Sequence, residues 1–208
     1  MHARKKFGVG LTMVIGGLLG SSCSLLPQAQ PDPTRFFVLS ATNGTPVAAP
    51  VGKAPVVHLR QVELASYIKA KPIIVRRGDN EIEFREFARW GEPLELGIGR
   101  VLREDLVSRG AAGVVLAAGL RATEVEYDYT LVVRVLACEG GVNGSVYFRA
   151  VWELATVGAT AKMVARGDVQ PGGLRWDGKS EAALVAQLSI AVAALAEDVA
   201  GGIARSGK

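Results

Sequence analysis

The stretch YDYTLVVRVLACEGGVNGSVYFRAVWELATVGATAKMVARGDV, residues 127–169, decides the fold because it holds three consecutive runs of β-forming residues. The runs and the two short turns between them are 127–140, 141–144, 145–157, 158–160 and 161–169. Connections this short join antiparallel neighbours. One face of the second run is apolar and contains Val146, Phe148, Ala150 and Trp152. The stretch therefore predicts an antiparallel meander in the C-terminal half of the chain.

A long amphipathic helix is predicted directly after the meander, over residues 180–207. Ser180 is a favourable N-cap, and Glu181 places a carboxylate in the first turn, where the helix dipole favours negative charge. The predicted buried stripe contains Leu184, Leu188, Ala191, Leu195 and Val199. The many alanines of this helix predict a close approach to a sheet.

The N-terminal half of the chain alternates between strand and helix patterns. The predicted elements are strands at 35–40 and from 55, a hairpin at 71–90, a helix at 91–110 and a strand at 113–117. In the hairpin, Ile82 and Phe84 lie on the more apolar face of the second arm, and Pro93 suits the first turn of the helix. The apolar stripe of that helix contains Leu94, Ile98, Val101, Leu102 and Leu106. Together with the meander, this order predicts an α/β fold with a mixed β-sheet and packed helices.

The first residues have the pattern of an export signal. Lys5 and Lys6 precede an apolar run over 7–20, which as a helix spans about 21 Å against a hydrocarbon core of about 30 Å. A basic start, a short apolar run and small residues before a cleavage site are typical of a signal peptide. We therefore expect residues 1–22 to be cleaved, 23–34 to form a Pro-rich tether, and 35–205 to form a single domain.

The cleavage site resembles a bacterial lipobox, Leu19-Gly20-Ser21-Ser22-Cys23, whose Cys is acylated and becomes the first mature residue. The Leu stands one position earlier than usual, so ordinary peptidase cleavage remains an alternative. Acyl chains on Cys23 would anchor the protein without a spanning helix. In the usual sorting pattern an Asp after the Cys retains a lipoprotein in the inner membrane, so Ser24 indicates the outer membrane.

Charge and catalytic motifs exclude several classes of protein. Arg4, Lys5 and Lys6 belong to the signal, so the mature chain keeps 21 basic and 20 acidic residues, without the concentrated basic face of a nucleic-acid binder. His58 is the one mature histidine, which leaves a metal site or catalytic triad without support. Cys138 lies in an apolar run and is expected to be a buried, inert thiol unless it pairs with an unacylated Cys23. No catalytic residue, metal or cofactor is predicted, and we do not expect an enzyme.

Residues 66–106, SYIKAKPIIVRRGDNEIEFREFARWGEPLELGIGRVLREDL, resemble the ABC-type transport auxiliary lipoproteins, the PqiC (paraquat-inducible protein C) family. The matching residues are Tyr67, Pro72, Ile73, Arg76, Asn80, Arg89, Trp90, Glu92, Pro93, Leu94 and Leu102. The segment DPTRFFVLS near the mature start fits as well, and the resemblance covers roughly residues 23–200.

The resemblance implies a function that the composition does not show. It implies a non-catalytic lipoprotein on the periplasmic face of the outer membrane that serves an intermembrane transport system for lipid or other hydrophobic cargo. The implied partners are an ABC permease and ATPase and an MCE-type (mammalian cell entry) channel protein. It also implies a ring-shaped homo-oligomer and an α/β/α sandwich-like fold.

The partner interface is expected in the 67–93 block, at Tyr67, Arg76, Arg89, Trp90, Glu92 and Pro93, because aromatic and Arg residues are enriched at interface hot spots. The structural alternative is that Trp90 and Pro93 fix a corner, Arg89 pairs with Glu92 and Tyr67 lies in the core. The alternative function is a stand-alone envelope lipoprotein that binds lipid or peptidoglycan, which would need a closed apolar pocket.

Substitution of the predicted lipid-bearing residue tests the anchor. We expect a fatty-acid probe to label the wild-type protein and not Cys23→Ala, because the thiol is the acylated group. The measurement is in-gel detection of the probe together with membrane fractionation. A labelled Cys23→Ala, or unlabelled wild-type protein free in the periplasm, would contradict the anchor.

Overall fold

The computed structural model describes residues 31–42, 53–119 and 126–207. The predicted signal peptide, Cys23 and most of the tether lie outside these ranges. Nine strands occur in the described residues: β1 (Arg35–Phe37), β2 (Val56–Leu59), β3 (Glu63–Leu64), β4 (Pro72–Arg76), β5 (Ile82–Trp90), β6 (Val114–Leu116), β7 (Tyr129–Gly141), β8 (Val146–Thr156) and β9 (Met163–Val169). The helices are α1 (Leu94–Ser108), α2 (Glu181–Ser206) and a short 3-10 helix at Ser66–Lys69.

The predicted meander is confirmed. β7 pairs with β8 and β8 with β9, all antiparallel, so that Trp152 lies opposite Val133 on one side and Gly167 on the other. The inward face of β8 is buried, as its alternating apolar residues predict. The meander forms one half of a mixed sheet.

Strand β7 also carries the N-terminal half of the sheet. The edge of β7 that faces away from β8 pairs in parallel with three strands in succession. These are β2 at Leu131, β3 at Val135 and β4 at Gly140. β6 continues the sheet beyond β2, and β5 and β1 continue it beyond β4. The predicted α/β fold with a mixed sheet and packed helices is confirmed, and two branches of strands diverge from one edge of β7.

Both helices lie on one face of the sheet. A Cβ atom built on Gly140 of β7 would lie 2.8 Å from Leu184 of α2, and α1 packs against α2. Within the described ranges the opposite face carries no α-helix, so the arrangement has one helical layer instead of the two of a sandwich. A second helical layer is missing from the described residues because β2, β3 and β4 follow one another along the same edge of β7. The chain passes from each of these strands to the next without an α-helix that would cross the opposite face. We call the opposite face the outer face.

The contact between α2 and the sheet is centred on the side chain of Trp152, which we call the Trp152 seat of the helix. A Cβ on Gly202 of α2 would lie 2.3 Å from the indole ring, and one on Gly167 of β9 would lie 2.4 Å from its Nε1. The indole Nε1 donates a hydrogen bond to Asp198 Oδ2 at 2.8 Å. Ser180 caps the helix as predicted, and the whole predicted stripe is buried. The length and composition of α2 would also suit a membrane span, but more than half of its apolar window is buried in the protein.

Element boundaries differ from the sequence prediction at the start of α1. The hairpin ends at Trp90 as predicted, but the helix begins at Leu94 and not at 91. Pro93 stands just before it, and its carbonyl accepts hydrogen bonds from the amides of Leu96 and Gly97. Phe84 is exposed, at 48%. The apolar side of the second arm therefore faces away from the helices.

Two adjacent glycines of α2 give a matched test of the Trp152 seat. Gly202→Ala should lower the free energy of unfolding by about 1–3 kcal/mol, because the added methyl overpacks the indole. Gly201→Ala should raise it by up to about 1 kcal/mol, because alanine is the better helix former. At that control position the new methyl would meet only the flexible end of Arg205, at 3.2 Å. Denaturant unfolding measures both, and equal effects would contradict this packing.

A buried carboxylate in α1 gives a pH test. Asp105 is fully buried; one oxygen accepts from the Thr42 amide at 3.3 Å, and the other lacks a hydrogen-bond partner among the described residues. Burial raises the pKa of Asp105 above its ordinary value of 3.8. Because the folded state binds this proton more tightly, its contribution to stability is complete below pH 3.8 and is lost as pH rises through the raised pKa.

Asp105→Asn should remove that pH dependence. We expect the stability of the variant relative to wild type to increase with pH above 3.8 and then to become constant. Thermal unfolding across this pH range is the measurement. A difference between the two proteins that does not change with pH would contradict the buried, costly carboxylate.

Candidate functional site

A groove lies between α1 and the segment that follows β2. It has a volume of about 470 Å³ and is open to solvent. The residues that line it include Arg60, Glu92, Glu95 and Arg103. A second cavity of about 400 Å³ adjoins it along residues 60–64 and shares Arg60 and Glu95 with it. The two form one continuous surface of mixed polar and apolar character, which we call the α1 groove.

The α1 groove exists because the chain leaves the sheet after Leu59 and rejoins it only at β3. Val62 fills the gap from below, where a Cβ on Gly99 of α1 would lie 3.7 Å from its side chain. The absence of a side chain at Gly99 thus lets the helix lie close to the segment. The close approach leaves the polar ends of neighbouring side chains at the rim.

One wall of the groove is fixed by Arg100. Its Nη2 donates to Glu92 Oε1 at 2.6 Å and to the Leu39 carbonyl at 2.9 Å, and its Nη1 lies 3.5 Å from Glu104. The hydrogen bond to Glu92 raises the pKa of the Arg100 guanidinium above its ordinary value. Arg100 therefore ties α1 to Glu92, which precedes the helix, and to the chain after β1. Its guanidinium is already engaged in contacts that stabilise the fold.

Other charged side chains of the groove are available for recognition. No hydrogen bond or ion pair joins the side chain of Arg60, Glu95 or Arg103 to another described residue, and Leu96 beside them is 55% exposed. Two unpaired guanidinium groups against one carboxylate give the groove a positive balance. Guanidinium groups bind carboxylates in bidentate geometry. The arrangement suits an acidic, partly apolar protein segment.

A buried cluster on the outer face brings Tyr67 and Arg76 together on Glu139, which is fully buried in β7. The Tyr67 hydroxyl donates to Glu139 Oε2 at 2.7 Å, and Arg76 donates to Oε1 through Nε at 2.8 Å and Nη2 at 2.5 Å. Burial, and then the bond to Glu139, raise the pKa of the Tyr67 phenol. Tyr147 lies under the Arg76 guanidinium, 5.7 Å from ring centroid to Cζ. The cluster holds the 3-10 helix and β4 on β7.

The remaining predicted interface residues occupy different environments. Trp90 is 8% exposed and belongs to the core, whereas Arg89 and Pro93 are exposed. Glu92 bonds Arg100 and not Arg89, so the suggested Arg89–Glu92 pair is absent. The six candidates thus divide among the Glu139 cluster, the core, the outer face and the rim of the α1 groove. Cys23 lies outside the described residues.

Two important residues were missed by the sequence prediction. Glu139 stands in the apolar run LVVRVLACEGG, and a lone carboxylate in such a run is a signal for a buried ion pair. Arg103 follows the apolar stripe of α1 on its solvent side, where nothing in the sequence separates a groove residue from an ordinary surface charge.

Side chains suited to chemistry are scarce in the described ranges. Cys138 is buried, and burial raises its pKa to about 12, so the thiol stays protonated and inert as predicted. His58 stacks near Tyr127, with ring centroids 5.0 Å apart. No group of three or more His, Cys, Asp or Glu residues that could hold a metal occurs in these ranges.

Solved structures share this fold. The crystal structure of protein XCC0632 from Xanthomonas campestris, assigned to the family model DUF330, is 17% identical, with a TM-score of 0.69, and the match covers 84% of this chain and 97% of that one. A crystal structure of an uncharacterized protein is also 17% identical, with a TM-score of 0.62 and coverage of 81% and 97%. Likeness at this identity shows the fold alone.

Comparison with protein families gives a more specific result. None of the curated proteins matches the chain. The model of the family described as "ABC-type transport auxiliary lipoprotein component" matches residues 37–200, which includes every strand after β1, both sides of the α1 groove and the Glu139 cluster. The chain therefore belongs to the family of ABC-type transport auxiliary lipoprotein components.

Proposed function

We propose that this chain is a lipid-anchored, non-catalytic accessory protein of an ABC transport system that moves lipid or other hydrophobic cargo between membranes. The family match across residues 37–200 carries the proposal. The scarcity of reactive side chains in the described ranges supports a role in binding. The ATPase of such a system is a separate protein, so the chain itself needs no nucleotide site.

The anchor is acylated Cys23, and its place is the periplasmic face of the outer membrane. The signal-like first residues, the lipobox-like segment and Ser24 after the Cys support this placement. The tether at 23–34 sets the reach of the domain.

The partners that we propose are an MCE-type channel protein and the ABC permease and ATPase of the same system, with ring-shaped self-association of the PqiC type. The resemblance of residues 66–106 to that family supports this finer assignment. Neighbouring genes for a permease, an ATPase and an MCE-type protein would be expected on the chromosome.

The α1 groove is the site that we propose for the transport partner. Of the six sequence candidates, Glu92 lines it, just before α1. The unpaired Arg60 and Arg103 would receive carboxylates of the partner, and the exposed Leu96 would receive an apolar side chain. The groove is open to solvent and carries charged side chains among its apolar ones, which differs from the closed apolar pocket that a stand-alone lipid binder needs.

Charge reversal in the groove tests this function. Arg103→Glu should weaken binding to the MCE-type protein encoded beside this chain by about tenfold or more, about 1.4 kcal/mol, because it replaces attraction with repulsion. Affinity and its salt dependence are measured on the purified lipidated protein. The matched control is Arg166→Glu, the same charge change on β9, which β7 and β8 separate from the groove.

Two results would count against the proposal. Unchanged affinity for Arg103→Glu would remove the groove as the docking site. Absence of any association between the wild-type protein and the neighbouring transport proteins would overturn the assigned function itself. Equal weakening by Arg166→Glu would show a general charge effect and would likewise remove the groove.

A further inference from the structure

Phenylalanine side chains collect on the outer face of the sheet, at the edge formed by β1 and β5. The register places Phe36 beside Arg89, and Arg89 beside Pro72. Residues paired across strands share a face, and residues two apart in one strand share it too. Phe87 therefore lies on the same face as Phe36 and Arg89.

The third phenylalanine reaches this face through an irregularity in the hairpin. Pro72 pairs with Arg89, but Ile74, two residues on, pairs with Phe84, so β5 contains extra residues there. Ile74 shares the outer face with Pro72, and Phe84 shares it with Ile74. An apolar side chain at position 84 is thus kept on the same side as Phe87, although the two are three positions apart.

The exposure of this surface is unusual for a sheet face. Phe36 is 67% exposed, Phe84 and Phe87 are each 48% exposed, and Val38 next to them is 52% exposed. A Cβ on Gly91 would lie 3.2 Å from Val38, which shows how closely the end of β1 fits the end of β5. We call Phe36, Val38, Phe84 and Phe87 the Phe36 surface. Contiguous exposed apolar groups mark an interaction site.

The position of the Phe36 surface along the chain indicates what covers it. Phe36 is the second residue of β1 and stands 13 positions after Cys23, so a fully extended chain between them spans at most about 45 Å. A bilayer that contains the acyl chains of Cys23 therefore lies no farther from this surface than the extended tether allows. Tethering raises the effective concentration of the second contact.

The chemistry of the surface fits a phospholipid interface. Aromatic side chains are enriched where hydrocarbon meets headgroups, and arginine binds phosphate. The Arg89 side chain, in the middle of the surface, is exposed and forms no hydrogen bond or ion pair with another described residue.

We propose that the Phe36 surface docks on the phospholipid bilayer that holds the anchor, with the phenylalanines at the headgroup boundary and Arg89 on a lipid phosphate. The proposal rests on the lipid anchor of the proposed function. The docked domain would lie with the outer face of its β1 edge against the membrane and would present the α1 groove, on the helix side of the molecule, away from it.

Tryptophan fluorescence of the full lipidated protein tests this docking. The three native tryptophans, Trp90, Trp152 and Trp176, are all at most 8% exposed, so they give a low, measurable background. Phe36→Trp places a new indole in the surface, and Met163→Trp places one on β9, at the opposite edge of the sheet. Both proteins are reconstituted in vesicles of phosphatidylethanolamine and phosphatidylglycerol whose acyl chains are brominated.

We expect the brominated chains to quench Phe36→Trp and to leave Met163→Trp at the background of the unmodified protein. Adding Arg89→Glu to Phe36→Trp should weaken the quenching. Vesicle flotation with no quenching at position 36 would overturn the docking surface while leaving the anchor intact. Protein that does not float would overturn the anchor and this proposal together. A further outcome is that the protein forms an oligomer, that Phe87→Asp dissociates it, and that position 36 is not quenched. That result would show that a second copy covers the surface, and it would also overturn the proposal.

Discussion

Close contact between α2 and the meander is the constraint on which the rest of the structure depends. The Trp152 indole fits between Gly202 of α2 and Gly167 of β9, positions where any side chain would collide with it. Once α2 is seated, it holds the rest of the chain by polar contacts. Arg35 of β1 pairs with Glu181, the Ser40 amide donates to Ser189 Oγ at 3.1 Å, and Arg109 after α1 donates to the Ala193 carbonyl at 3.3 Å.

Charged groups divide into those that build the fold and those left for recognition. Glu139 is fully buried and receives donors from Tyr67 and Arg76, as a buried carboxylate must if it is not to be costly. Arg100 is likewise occupied at the start of α1. Arg60 and Arg103, by contrast, lie where the two strand branches diverge, and no described residue pairs with them. Function is therefore best sought among the unpaired cations, and the strongly paired groups are scaffolding.

Local pattern was sufficient to predict the elements of this fold, because the meander, α1 and α2 each bury a face with a regular period. The stripes of both helices and the inner face of β8 are buried as their sequences predict. The pairing of β7 with β2, β3 and β4 was beyond such reasoning, because it depends on contacts distant in sequence. For the same reason Trp90, an expected interface residue, lies in the core, and Phe84 lies exposed on a face that no described helix covers. The α1 groove combines residues from β2 and α1, and neither segment alone indicates it.

The role of β7 has a consequence for the order in which the chain matures. Strands β2, β3 and β4 pair with β7, whose partner residues are synthesised 65 to 72 positions later in the chain, as in the pairs Val75 with Gly140 and Leu59 with Leu131. Until that strand exists, the first half of the chain cannot complete its backbone pairing. Folds dominated by such distant contacts form slowly. Such late pairing would suit a chain that has to cross a narrow translocation channel unfolded, as the proposed export requires.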